Sequence, residues 1–239
     1  MSKGKGGGDL RRFYIVFAIV ALVGIGAVGY SVASTALGTP VAEPVDLEGA
    51  TDDMRRLNEM AVPVVVGEED APATIVVFGD YLCNHCAAFS LQVRPQLEAA
   101  FVETGRAKLL FYDFPLNPDQ GTFLAARAAR CAGDQGRFWD YHDALYRNQR
   151  SWAFAEDQVD AFMELAGGVG LDTGEFRGCL RSDAHAREVT ANLELAKALG
   201  LPGTPAVLVG TEGGMSRRLP DYSFRAVEET LNEILGGQG

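Results

Sequence analysis

Thr74-Ile75-Val76-Val77-Phe78-Gly79-Asp80-Tyr81-Leu82-Cys83-Asn84-His85-Cys86 is the stretch on which the fold turns. Its first six residues form a continuous apolar run of strand length, as expected of a strand buried on both faces. From Cys86 to Glu103 apolar residues recur at helical spacing, at Phe89, Val93, Leu97 and Phe101, and Pro95 is expected to kink that helix. Two cysteines three residues apart therefore fall at the junction of a buried strand and a helix. There the second sulfur can reach the first across one turn, and the pair can close to a disulfide and reopen without unfolding the chain. The unpaired N–H groups of a first helical turn favour a thiolate at Cys83, which is the reactive form. His85 adds a donor and, when protonated, a positive charge near the sulfur. Cys86, further into the helix, is expected to be the less exposed, resolving thiol. A Cys-x-x-Cys pair can also be half of a tetrahedral zinc site or a small structural disulfide. Zinc needs two further ligands, but Cys131 and Cys179 stand 48 residues apart and His142 and His185 are solitary. A disulfide closing so small a loop stabilises little.

Outward from this stretch, Val62 to Val66 is apolar and β-branched, and the turn 67–72 separates it from the strand just described. Ala107 to Phe114 reads as a further strand. From Gln120 to about Leu199 the pattern is helical, over Thr122–Ala132, Arg137–Arg147, Gln158–Leu165 and Ala184–Leu199. Gly167, Gly168, Gly170 and Gly174 are expected to separate these helices. Strand character returns at Pro205–Gly210. A turn leads to a last strand, Met215–Leu219, and the chain ends in a helix over Ser223–Leu235. The pattern is α/β, with a helical block inserted between a strand–helix–strand unit and a strand–hairpin–helix unit.

The N-terminal end is different in kind. Lys3, Lys5, Arg11 and Arg12 against Asp9 give residues 1–12 a charge of +3. Phe13 to Ala33 follow, 21 residues without a charge. As a helix they would span roughly 30 Å, the hydrocarbon thickness of a bilayer. Basic residues ahead of the span keep the N-terminus in the cytoplasm. Residues 1–34 are therefore expected to be a basic end plus an uncleaved signal-anchor. Ala33-Ser34-Thr35-Ala36 offers a cleavage site as the alternative. Residues 35–60, broken by Gly38, Pro40, Pro44 and Gly49, read as a tether, within which Asp52 to Met60 forms a short helix or is mobile. Residues 61–118 and 200–239 are expected to form the α/β domain, and residues 119–199 the inserted helical domain. The net charge of −11 less +3 leaves −14 for the rest of the chain, which excludes nucleic-acid phosphates as a favoured partner. All four cysteines lie beyond the span, where disulfides form. Four cysteines allow three connectivities.

Two runs resemble one known family. Asp70-Ala71-Pro72-Ala73 leading through Thr74 to Cys86 is similar to the entry to the active site of DsbA-like thioredoxin-fold proteins. Gly200-Leu201-Pro202-Gly203-Thr204-Pro205-Ala206 is similar to their cis-proline loop. The resemblance covers residues 62–236. It implies a thioredoxin fold with an inserted helical domain and thiol:disulfide interchange, with donation of disulfides as the expected direction; a disulfide reductase or isomerase, or a non-catalytic metal- or partner-binding module, is the alternative, and no cofactor is expected. It implies Cys83 as nucleophile, Cys86 as resolving thiol, and a cis Thr204–Pro205 peptide facing them, with Thr204 pairing with substrate backbone. It further implies thiol-containing polypeptide substrates and reoxidation by a membrane quinone-linked partner of the DsbB or VKOR type. The catalytic domain is then expected on the periplasmic or extracytoplasmic side of the cytoplasmic membrane. Two departures stand out. Many members carry a buried acid six residues before the nucleophile, where this chain has Val77, so proton transfer is left to water, His85 or another group. Asn84 replaces a common proline. Cys131 and Cys179 are expected to form a structural disulfide between two helices, the alternative being two free buried thiols. His142 is read as a packed helix residue.

Overall fold

The computed structural model describes residues 40–211, 214 and 216–237. The expected span over residues 13–33 lies outside the described residues. Among those described, no helix is long and apolar enough to cross a membrane.

Five strands form one sheet in the order β1-β3-β2-β4-β5: β1 Val64–Val66, β2 Ala73–Gly79, β3 Ala107–Asp113, β4 Ala206–Thr211 and β5 Arg217–Leu219. The central pair β2 and β3 runs parallel; the other pairings are antiparallel. β2 is buried along nearly its whole length, as its uninterrupted apolar run requires. Ile75 and Val77 face one core cluster with Cys86 and Phe89, and Phe78 faces another with Leu57 and Leu195. The alternation of side chains thus gives β2 a buried neighbour on each side.

Three helical elements close these faces: α1 Met54–Met60, α2 Asn84–Val102, and α3 Thr122–Gly133, the first of the inserted block. Within α2, Asn84–Ala88 and Arg94–Leu97 are α-helical, whereas Phe89–Val93 and Glu98–Val102 are π-helical. Pro95 has no N–H to continue the ladder. The expected break is taken up by wider turns on either side, and Arg94 N–H reaches back five residues to Phe89 C=O. The block continues with α4 Phe138–Arg147, α5 Gln149–Ala153, α6 Gln158–Gly168, α7 Thr173–Arg181 and α8 Ala186–Ala198. The helix α9 Phe224–Gly236, capped by the Ser223 side chain, ends the described chain. Gly174, expected between helices, lies in the first turn of α7, where the Asp172 cap holds its N–H at 2.8 Å.

The tether reading of residues 35–60 is corrected for the residues described. Leu47, Ala50 and Leu57 are at most 2% exposed and pack with α8. The fully buried Arg127 donates to Val41 C=O at 2.6 Å, and Val45 N–H donates to Thr190 Oγ1 at 3.0 Å. From Pro40 onward the chain packs as one unit, so the inserted helices are not a separate body. One disulfide, Cys131–Cys179, joins α3 to α7.

Candidate active site

The turn after β2 is held by Asp80. Its buried carboxylate accepts from Leu82 N–H and Leu116 N–H, both at 2.6 Å, while its C=O accepts from Cys83 N–H at 3.1 Å. These bonds place Cys83 as the N-cap of α2. Cys83 Sγ accepts from Cys86 N–H at 3.3 Å, so the sulfur occupies the place of a capping oxygen. Across from it, the chain returns through Gly203-Thr204-Pro205. Thr204–Pro205 is the one cis peptide among the described residues, so Pro202 follows a trans bond. Thr204 C=O lies 3.3 Å from Cys83 Sγ. Residues 121 positions apart thus form one surface around the sulfur.

The two thiols are unlike. Cys83 is half-buried, and its pKa is lowered to about 5. The Cys86 thiol is the largest cause. The Thr204 hydroxyl and the N–H groups of Cys86 and His85 add to it, and burial opposes them. Cys86 is 2% exposed, and burial, then the neighbouring Cys83, pushes its pKa far above the usual thiol range. His85 is exposed, with its ring 6.4 Å from that of Tyr222. It serves the Cys83 sulfur through its backbone N–H. Val77 stands mid-strand opposite Phe111 and Val207, in the same apolar cluster as Cys86. The ionisable group near this turn is instead Asp80, whose pKa burial raises against its two backbone donors, with Cys83 adding to the rise.

Several supporting residues carried no sequence signal. Gln149, opening α5, donates from Nε2 to Tyr81 C=O at 2.8 Å and to Cys83 C=O at 3.2 Å. His142, expected to be packed, is fully buried. Its Nδ1 lies 2.9 Å from the Tyr81 hydroxyl and its Nε2 lies 3.1 Å from Ser90 Oγ. Burial, and then Arg94, holds its pKa well below the ordinary histidine value. It is a neutral link between the motif turn and the helical block. Among the described residues, the one group of three metal-ligating side chains is Cys131, Cys179 and His185, and Cys83 and Cys86 are not part of one. The pair is arranged for thiol–disulfide exchange: an accessible thiolate, a buried partner one turn away, and a fixed backbone edge beside them.

Comparison with known proteins agrees with this geometry. Residues 59–218 match the family described as thioredoxin. A protein of Bacillus anthracis named probable disulfide bond formation protein D is 26% identical over 237 residues, covering 96% of this chain and all of that one. The disulfide bond formation protein D of Bacillus subtilis is 26% identical over 181 residues, covering 73% of this chain and 78% of the relative. Among solved structures, oxidised BdbD from Bacillus subtilis aligns with a TM-score of 0.62 at 22% identity, covering 74% of this chain and 97% of that one. Alpha-DsbA1 from Wolbachia pipientis aligns with a TM-score of 0.65 at 21% identity, covering 75% and 96%. With a five-stranded sheet, an inserted helical block and a Cys83–Cys86 pair facing a cis-proline, the chain belongs to the thioredoxin family, among its DsbA-like thiol:disulfide oxidoreductases.

Proposed function

We propose that the chain donates disulfides to thiols of secreted or envelope polypeptides through Cys83 and Cys86. The observation that carries this reading is the asymmetry of the two thiols. A thiolate held near pKa 5 at Cys83 stabilises the reduced pair and so makes its disulfide a stronger oxidant. In the reaction a client thiolate attacks Cys83 Sγ and the Cys83–Cys86 bond breaks. Cys86 leaves and takes a proton, since its buried thiolate is strongly disfavoured. A second client thiolate attacks the client sulfur of the mixed disulfide, and Cys83 leaves as a stabilised thiolate. Two electrons pass from client to enzyme. Thr204, beside the sulfur at 3.3 Å, supplies the backbone edge against which the client aligns.

Turnover then requires an oxidant for the reduced pair. A membrane quinone-linked protein of the DsbB or VKOR type fits this need. Residues 13–33, as a signal-anchor, would hold the domain on the extracytoplasmic side of the cytoplasmic membrane, near such a partner. The names of the Bacillus relatives support the direction of the reaction. The decisive assay is oxidation of a reduced client by wild type and by Cys83→Ala. Loss in the variant is expected, and unchanged activity would remove the proposal. A reduction potential near roughly −120 mV is expected, whereas one near roughly −270 mV would mark a reductase instead.

A further inference from the structure

Cys131, Cys179 and His185 look unrelated in the sequence, yet the fold collects them at one point. Cys131 lies in the last turn of α3, and Asp134 ends that helix. Cys179 lies in the last turn of α7, and His185 stands at the N-cap of α8. The two sulfurs and a ring nitrogen of His185 all lie within 4.8 Å of one another. Asp134 joins the group, with its Oδ2 2.9 Å from His185 Nε2 and 3.5 Å from Cys179 Sγ. Among the described residues Cys83 and Cys86 belong to no such group, so this place is separate from the reacting pair.

The histidine is set as a metal-binding histidine is. Its Nδ1 lies 2.8 Å from Glu188 Oε2, and that carboxylate lies 3.3 Å from the Arg130 guanidinium. A carboxylate on one ring nitrogen fixes the tautomer and aims the other nitrogen at a metal. The ring reaches this position through a backbone conformation that a non-glycine residue adopts at a cost, with φ at +60°. A bond between Cys131 and Cys179 makes no demand for an imidazole or a carboxylate beside it. Access is from the half-buried side, that of Cys179 and His185, since Cys131 is 1% exposed. A cleft of about 430 Å³ opens on His185 there, edged by Asp46, Asp183 and Glu188 against Arg187 alone. A cation thus approaches from an acidic side.

We propose that when this disulfide is open, Cys131 Sγ, Cys179 Sγ, His185 Nε2 and Asp134 Oδ2 bind one zinc ion, which holds α3 to α7 in its place. Every chain is made with four thiols, so the open state precedes the closed one. A dithiol reductant regenerates it, passing two electrons and two protons to the Cys131–Cys179 bond and becoming a disulfide itself. As zinc binds, the two thiol protons and the proton on Nε2 go to water. Two thiolates, an imidazole and a carboxylate form a donor set that zinc takes as a tetrahedron. Metal bonds of about 2.0–2.3 Å set such atoms about 3.3–3.8 Å apart. The two distances from Asp134 Oδ2 already stand close to that range. The sulfurs have to part, and with their Cα atoms 5.8 Å apart, rotation about the Cα–Cβ bonds is enough. Disulfide and metal use the same two sulfurs and exclude each other. The site goes beyond the oxidase reading and does not depend on it.

The test uses the full chain carrying Cys83→Ser and Cys86→Ser, so that only the second pair can bind. Reduced with a phosphine and titrated with zinc against a chromophoric chelator, it is expected to take up one zinc per chain, and none once oxidised. Cobalt(II) in place of zinc should show the sulfur-to-metal charge-transfer and intense d–d bands of a tetrahedral thiolate site. Glu188→Gln is expected to weaken zinc about 10- to 100-fold, and His185→Ala more. Zinc should also raise the denaturation midpoint of the reduced chain, and should not do so in His185→Ala. No uptake by the reduced chain overturns the proposal. So does uptake that survives Cys131→Ser with Cys179→Ser, or that is unchanged in His185→Ala, either of which marks adventitious binding. Uptake without a rise in the midpoint marks thiols gathered from an unfolded block, and overturns it as well.

Discussion

A sulfur that replaces a capping oxygen is the smallest feature on which the chemistry depends. Cys83 ionises near pH 5 because donors already point at it, the Cys86 thiol foremost. Cys86→Ala is therefore expected to raise the Cys83 pKa, seen as a shift to higher pH in the alkylation profile of the reduced protein. The same depressed value sets a pH dependence of stability. The native thiolate stabilises the reduced fold fully above the ordinary thiol range, and that contribution is lost as pH falls through about 5. The oxidised form has no such thiolate. The difference in denaturation midpoint between the two forms should thus narrow steadily as the solution is acidified. Cys83, Cys86 and Pro205 were legible in the sequence because each lies in a short run with local meaning. Gln149 was not, and of Asp80 only its closeness to the motif was. Gln149 acts on carbonyls 66 and 68 residues away, and no local pattern marks which amide of a helical block will face a distant turn. Asp80 is one acid among many until its burial is known.

At the scale of elements, the strands were readable because apolar runs such as Val76-Val77-Phe78 have one use in a chain of this kind. The helix α7 was harder. Gly174 and Gly178 lower its helical propensity, and only Phe176 and Leu180, one turn apart, are buried. What fixes it is partly covalent. Cys131–Cys179 closes a 48-residue loop, worth about 4 kcal/mol in the chain-entropy account. Replacing both cysteines by serine is expected to cost about that much in a denaturant titration run with Cys83 and Cys86 oxidised. Beside this bond, His185 Nδ1 lies 2.8 Å from Glu188 and Nε2 lies 2.9 Å from Asp134. Glu188, with Asp134 in support and burial opposing, raises its pKa above the ordinary 6.5. The stabilisation is complete below the ordinary histidine value and fades as pH rises through the raised one. His185→Ala should remove that part of the pH–stability curve, and a curve that keeps its shape would count against the pairing.

The molecule as a whole is tied together from its described N-terminal side. Residues 41–60 have the glycine, proline and acid content of a linker, which is why composition alone misleads. Their fixing points are few and not periodic: Leu47, Ala50, Leu57, and a carbonyl at Val41 held by Arg127. Leu57 is fully buried against α8. Leu57→Ala is expected to cost about 2–5 kcal/mol of unfolding free energy, as a core deletion does. A linker residue would cost next to nothing, so thermal denaturation separates the two cases. The bond between Cys131 and Cys179 has a consequence at this scale too. It is a bond of the kind that the reaction proposed for Cys83 and Cys86 makes. Cys131 is 1% exposed and Cys179 half-buried, so once the helical block has closed an oxidant reaches this pair from the Cys179 side. If an older copy makes this bond, a new copy is a client before it is a catalyst, yielding two electrons and two protons to the older copy's oxidised dithiol. Maturation becomes autocatalytic: reduced, unfolded chains should oxidise with a lag, and a trace of finished protein should abolish it.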